Sequence, residues 1–454
     1  MHMLDELVER FEQTFPLSAM ARALLEAAIS RQWVDEVFEK NRERQYPREL
    51  MFSSIVSVMM MVTLGVRNSV NAAAKQARLG VSLQALYEKI NRTEPGVMRA
   101  LVQGSAQRLE PVVRPMGIEP LLPGWRLRII DGNHLPASQQ RLKALRGLSA
   151  AALPGHSLVV YDPDSGLVTD LLPSEDAHAQ ERAVIEPLLA SAQPGEVWIA
   201  DRNFCTRAIM QGWSDAGACF IVREHAHHPA MIESGPWREC GQVCSGNLFE
   251  QAIAITPGQR PWRRISVCLD TSTEDGDTEI SLWTNLPESI SAATIAELYR
   301  KRWKIEGMFQ RLEAVLNSEL RTQGHPRAAL LGFSIAVLVY NVLAVLKKSV
   351  EHANRKEAPT LDASTYYIAM LVNDALLASL LLLPQGSFLC WADAPAHELT
   401  DYLLRLAARI DPKRVNTAKH KRRPRSPKVY ADSSPPGSHV STAKVLRRAR
   451  EERP

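Results

Sequence analysis

Apolar residues recur along this chain with two different periods, and the change between them divides it. From the start to about residue 118 the spacing is helical. Leu24 to Ile29 and Ile55 to Leu64 are mostly apolar, and Met59, Met60 and Met61 suit an adaptable core filler. An alanine-rich helix from Asn71, a turn at Leu79-Gly80-Val81-Ser82 and a second helix from Leu83 to Ile90 follow. Ser82 stands where a side-chain oxygen can cap that second helix.

Beyond Leu127 the pattern becomes that of strands. Leu127–Ile130, His156–Tyr161 and Leu167–Leu172 predict three strands, the last two joined by the turn Asp162-Pro-Asp-Ser-Gly166. Ala179–Ala192 predicts a helix stopped by Pro194-Gly195. Val197–Ala200 predicts a strand, Arg207–Ala216 a helix and Cys219–Arg223 a strand. Within residues 224–285, Ala252–Ile255, Arg264–Leu269 and Glu279–Trp283 predict three further strands between polar turns.

The helical period returns over Tyr299–Glu313. Ile305, Met308, Phe309, Leu312, Val315 and Leu316 fall on one side, as a core stripe should. Tyr299, Arg302, Glu306, Gln310 and Glu313 fall on a neighbouring side. Taken alone, that face reads as a solvated surface with an Arg302–Glu306 pair one turn apart. Ala328–Leu346 is apolar except at Gly332, Ser334, Tyr340 and Asn341. Its length reaches that of a short membrane span, but a buried helix supporting the acidic one before it is the reading adopted. Helical patterning continues to about Ile410.

Composition fits a globular protein of two to three domains: 454 residues, 45% hydrophobic and 23% charged. The net charge of +4 hides an asymmetry. Residues 411–454 hold 13 Lys+Arg and 4 Asp+Glu, so the tail is strongly basic and the rest of the chain acidic. Such a tail, rich also in Pro and Ser, predicts disorder when free and contact with nucleic acid or phosphate. Six irregularly spaced cysteines make no disulfide scaffold, and the N-terminus lacks a signal peptide's pattern, so a cytoplasmic location is expected. His225, His227, His228, Cys240 and Cys244 have no standard zinc spacing.

Three stretches carry candidate chemistry. Arg128-Ile-Ile-Asp-Gly-Asn133 and Val197-Trp-Ile-Ala-Asp-Arg-Asn203 each run from a predicted strand into an aspartate, and the Tyr299 helix supplies Glu306. Singly, either aspartate reads as a turn or cap residue. Together with the glutamate they make an oxygen-rich set suited to magnesium. The order of three strands, helix, strand, helix, strand is that of the ribonuclease-H-like fold. In that fold the first and fourth strands are neighbours, which would bring Asp131 beside Asp201.

The three blocks resemble the acidic triad of the DDE transposases, in the bacterial insertion-sequence-four family. That family's helix signature is Tyr, two residues, Arg, three residues, Glu, six residues, Lys. This chain matches at Tyr299, Arg302 and Glu306 and departs at Glu313, where the family has lysine. The resemblance covers roughly residues 120–345. It implies a ribonuclease-H-like catalytic core over 119–223 and 286–346, interrupted by a β-strand insertion over 224–285. An N-terminal helical domain (1–118), a C-terminal helical region (347–410) and the basic tail (411–454) flank it. The helix pair around Gly80 reads either as a helix-turn-helix contacting DNA or as an ordinary pair, since its spacing is one residue short of the usual pattern.

As catalytic residues and metal ligands the resemblance implies Asp131, Asp201 and Glu306, with two magnesium ions for which manganese can substitute. Asp131 would bridge the ions, Asp201 would hold one and Glu306 the other. Tyr299 and Arg302 would hold a DNA phosphate. Trp303 would stack on a base drawn from the duplex, or else be a partly buried core indole. The partners implied are inverted-repeat ends, target DNA and a second copy of the chain. Two alternatives stand beside cleavage and strand transfer: a nuclease of the same fold that only hydrolyses, and a transposase-derived DNA-binding protein without activity, which the Glu313 departure motivates.

Overall fold

The computed structural model describes residues 2–45, 50–117, 119–135, 155–176, 179–258, 261–273, 276–318, 325–383 and 387–417. Seven helices come first: α1 (His2–Thr14), α2 (Pro16–Ile29), α3 (Arg31–Asn41), α4 (Phe52–Thr63), α5 (Val70–Ala77), α6 (Leu83–Arg92) and α7 (Pro95–Val113). Ser82 caps α6 as its position predicts, its hydroxyl accepting the Ala85 N–H at 3.2 Å.

A single mixed sheet of ten strands follows. Its members are β1 (Arg126–His134), β2 (His156–Tyr161), β3 (Val168–Ser174), β4 (Glu196–Ala200), β5 (Cys219–Arg223), β6 (Glu233–Ser234), β7 (Arg238–Val243), β8 (Gly246–Ala254), β9 (Trp262–Leu269) and β10 (Glu279–Thr284). The order is β3-β2-β1-β4-β5-β10-β9-β8-β6, with β7 also on β8. The first and fourth strands are therefore parallel neighbours, with Ile129 paired to Ile199. The strands after residue 223 continue this same sheet, because β10 pairs antiparallel with β5. Short, polar β6 and β7 gave no apolar alternation to read.

Alternate residues of the inner strands face opposite cores, as the pleat requires. Leu127, Ile129, Val197, Ile199 and Ile221 enter the larger core with the helices. Ile130, Trp198, Phe220 and Val222 enter a smaller one with Trp213, Trp262 and Trp283. Two short helices, α8 (Glu186–Leu189) and α9 (Arg207–Asp215), lie between the strands in sequence. The helix predicted over Ala179–Ala192 is instead a 3-10 turn (Glu181–Val184) and the single turn of α8. Pro187 has no N–H to donate there, so a longer ladder would lose a bond at that point.

The acidic helix is also divided. It comprises α10 (Ala292–Arg300) and α11 (Trp303–Val315). At the junction the N–H groups of Lys301, Arg302, Lys304 and Ile305 reach back only three residues, so the turns are tight. The break lets α10 pack on β5, β7 and β8 while α11 packs on β1. Ile305, Met308, Leu312 and Leu316 are buried as the stripe predicts.

α12 (Pro326–Ala353) is long and apolar enough to cross a membrane, but its most apolar stretch is wholly buried inside the fold. Its polar residue Asn341 explains why. The side-chain amide accepts the Val168 N–H at 2.8 Å and donates to the Val168 carbonyl at 2.9 Å. β3 is a terminal strand of the sheet, so Asn341 satisfies two backbone groups that no neighbouring strand can reach. Then come α13 (Thr365–Leu382), α14 (Ala396–Ala407) and α15 (Pro412–Val415). Disorder expected from Asp411 onward does not begin there. Val415 is fully buried and its carbonyl accepts the Ser364 N–H. The remainder of the tail, from residue 418, lies outside the described residues.

Candidate active site

The centre is assembled from two strands and two helical turns. Ile129 and Ile199 are the last registered pair of β1 and β4, and an aspartate stands two residues beyond each. Neighbouring strands lie about 4.8 Å apart, so Asp131 and Asp201 are delivered side by side on the face that their isoleucines share. Asp131 is not at a strand end, as the sequence suggested. It is within β1, paired in register with Val159, and its Oδ1 accepts the Gly132 N–H at 3.0 Å. Asp201 leaves β4 and caps a 3-10 turn, its Oδ1 accepting the Asn203 N–H at 2.9 Å.

Arg302 ties the helix to the strands. Its Nη1 donates to Asp131 Oδ2 at 2.9 Å and its Nη2 donates to Glu306 Oε1 at 2.7 Å. The guanidinium is 11% exposed, so both ion pairs are largely shielded from water. Tyr299 is buried beside it. Trp303 projects outward, 64% exposed, with the Arg302 guanidinium 5.4 Å from its ring centre. Exposure removes the alternative that Trp303 is a core indole. Burial of Tyr299 and the double engagement of Arg302 mean that neither presents a free group to a phosphate in this arrangement.

The sequence reading missed Glu181, the first residue of the 3-10 turn after β3. Its carboxyl feels the charge of Asp201 and acts in turn on Asp131. One signal pointed to it: the glycine at 132. A Cβ there would come within 2.1 Å of Glu181 Oε1, so any larger residue would push the Glu181 side chain aside.

Crowding sets the electrostatics. Burial pushes the Asp131 carboxyl up to about 7; Arg302 opposes this, while Asp201 and Glu181 add to it. Asp201 and Glu181 are raised too, each chiefly by burial. Burial pulls the Arg302 guanidinium down, but Tyr299, Asp131 and Glu306 hold it above its ordinary value. The Tyr299 phenol is pushed up to about 12 by burial. Arg302 thus serves Asp131 and Glu306, while Arg202 and Arg223 as well as Arg302 act on Asp201. The donors are all oxygens, the class that hard divalent cations take, and Arg302 occupies the place of a counter-cation among them. Among the described residues no three His, Cys, Asp or Glu side chains stand close enough together to hold a metal ion as they are. Cys240 lies against Glu250 and Cys244 against Arg300 and Glu297.

Fold and site together define an α/β protein with an acidic centre at the junction of two parallel strands and a helix. Over residues 124–342 the chain matches the model of the transposase DDE domain family. It is similar to a Sinorhizobium fredii protein assigned as a transposase, y4zB, with 24% identity over 48% of this chain and 60% of that one. It is similar also to the Escherichia coli transposase for insertion sequence element IS421, with 26% identity over 45% of this chain and 62% of that one. The chain thus spans about three-fifths of the length of the curated relatives it matches. A solved piggyBac transposase synaptic complex with hairpin DNA aligns with 10% identity over 85% of this chain and 84% of that one, at a TM-score of 0.37. Domains of the DDE family depend on a divalent metal.

Proposed function

We propose that this chain is a DNA transposase that cleaves phosphodiester bonds at the ends of its element and joins the freed ends to target DNA. The observation that carries the reading is the ring of Asp131, Arg302 and Glu306, closed between residues 171 positions apart, with Asp201 delivered beside Asp131 in a DDE domain. The strand order supports a ribonuclease-H-like core, and Tyr299, Arg302 and Glu306 at the signature's spacing support the insertion-sequence-four type. Asp131, Asp201 and Glu306 are the residues that would hold divalent cations, magnesium or manganese and two in number. Cations held there would supply charge neutralisation at the phosphoryl oxygens and a better nucleophile from water or a 3′-hydroxyl.

The protein's own part is positioning. β1 and β4 fix two carboxylates at one sheet position, and α11 brings the third. Arg302 holds Asp131 and Glu306 together and, once its ion pairs loosen, can turn its fork to a phosphate. Exposed Trp303, one residue on, offers a stacking surface for a base lifted from the duplex. Partners are inverted-repeat ends and target DNA, with two protomers in the complex of paired ends, and the setting is the cytoplasm. Helices α5 and α6 and the basic tail are candidates for further DNA contact.

The test is incubation of the chain with DNA carrying the element's inverted repeats, in magnesium or manganese. Cleaved ends and joined products are expected from the wild type and neither from Glu306→Gln. Nicking without joining would point to the nuclease reading. Intact DNA throughout would point to the inactive binding protein.

A further inference from the structure

Arg302 closes the acidic centre while one of its own donors goes unmet. Its Nη1 is bonded to Asp131 and its Nη2 to Glu306, and its Nε is buried with no hydrogen-bond partner. A buried N–H left without an acceptor is unfavourable, so a ligand that met it would compete for the fork. The two bonds also occupy one oxygen of each acid. With the acids so engaged, no three His, Cys, Asp or Glu side chains among the described residues stand close enough to hold a metal ion.

Two features let the contact open. Arg302 is the N-cap residue of α11 and lies in the tight turns between α10 and α11, which pack on different strands. Its backbone therefore sits at a joint between two helices and not inside a continuous one. One side of its guanidinium is covered by the Trp303 ring, 5.4 Å away at its centre, and Trp303 is itself 64% exposed. A nucleic acid that engages Trp303 thus arrives beside Arg302. A phosphate there can take Nε and Nη2 together as a bidentate pair, which meets the unpartnered donor and frees Glu306.

We propose that Arg302 is a latch: it keeps the acids closed on themselves until a DNA phosphate takes its fork, so that DNA and divalent cations are taken up cooperatively. This deepens the transposase reading above and rests on it. The chain without DNA then has low affinity for metal, and the acids are freed where a strand is already seated. By linkage, DNA affinity rises by the same factor when the metal is present.

The experiment is titration of the full chain with manganese, following free manganese by electron paramagnetic resonance, with and without a cleaved-end duplex. That duplex lacks its 3′-hydroxyl, so no joining can occur, and its own uptake of manganese is subtracted. In the wild type the duplex is expected to tighten manganese binding by at least about 10-fold, within the usual range of coupling between two ligands. Without DNA, Arg302→Gln is expected to bind manganese at least about 10-fold more tightly than the wild type, and to gain less from the duplex. Removing a positive charge would by itself favour a cation, so Arg302→Lys is the decisive variant. It keeps the charge, which guards the fold, but lacks the fork that spans two acids, and it should also tighten DNA-free binding, by at least about 5-fold. Wild-type affinity in the DNA-free lysine variant, or equal gains from the duplex in the wild type and both variants, would overturn the proposal. Glu306→Gln separates the two readings. Manganese binding undiminished in that variant, with and without the duplex, would remove the transposase reading itself; weaker binding with the duplex keeps that reading whichever way the Arg302 variants fall.

Discussion

Arg302 donates to Asp131 Oδ2 at 2.9 Å, and its other terminal nitrogen donates to Glu306 one helical turn on. A positive side chain thus holds together two of the acids to which a divalent cation is assigned. Removing it leaves Asp131 buried without its nearest counter-charge. Arg302→Ala should cost about 2–4 kcal/mol in chelator. Manganese should then raise the variant's melting temperature by more than it raises the wild type's, since the ion takes over the lost charge. Thermal melts of both proteins with and without manganese measure this.

Asp131 sets a pH dependence. Its carboxyl is raised to about 7 by burial in the folded chain, against about 4 in an unfolded one. Between those values the unfolded chain has released a proton that the folded chain keeps, so stability falls as pH rises through the window. In chelator, the melting temperature should drop more in the wild type than in Asp131→Asn between about pH 4 and pH 8. Parallel curves for the two proteins would contradict this.

Much of this architecture was legible because each piece followed from a local rule. The β-branched runs into Asp131 and Asp201 gave the strands, and the period of 3.6 after residue 303 gave the core stripe of α11. The break at Lys301–Arg302 was not legible, because it follows from the different surfaces on which α10 and α11 pack and from no breaker residue. The role of Gly132 was not legible, since its neighbour, Glu181, is distant in sequence and lay in a stretch read as one continuous helix. Glu313 is exposed, and Arg311 does not replace the family's lysine. Its guanidinium turns inward to Tyr340, 3.4 Å from the phenol oxygen.

Trp303 separates stability from binding. Its exposure predicts that Trp303→Ala changes the folding free energy by no more than about 0.5 kcal/mol. Loss of one stacked base predicts a deficit of about 1–3 kcal/mol in binding cleaved-end DNA. Chemical denaturation and a binding titration on the same preparation decide between this and a merely exposed indole.

The tail must be cut with the fold in view. Truncation after Ile410 removes buried Val415 and the bond from the Ser364 N–H, so it should destabilise the chain as well as weaken DNA binding. Truncation after Thr417 keeps that anchor and removes 11 of the tail's Lys and Arg residues. It should leave melting unchanged, lower DNA affinity and flatten its dependence on salt. An unchanged salt slope would show that the tail does not contact DNA.

The most direct measurement is the location of manganese by anomalous scattering in crystals of the chain grown with the metal. The account predicts ions bounded by Asp131, Asp201 and Glu306, with Arg302 released from at least one of its two carboxylates. Crystals in manganese showing Arg302 still joined to both acids, and ions bound elsewhere, would contradict it.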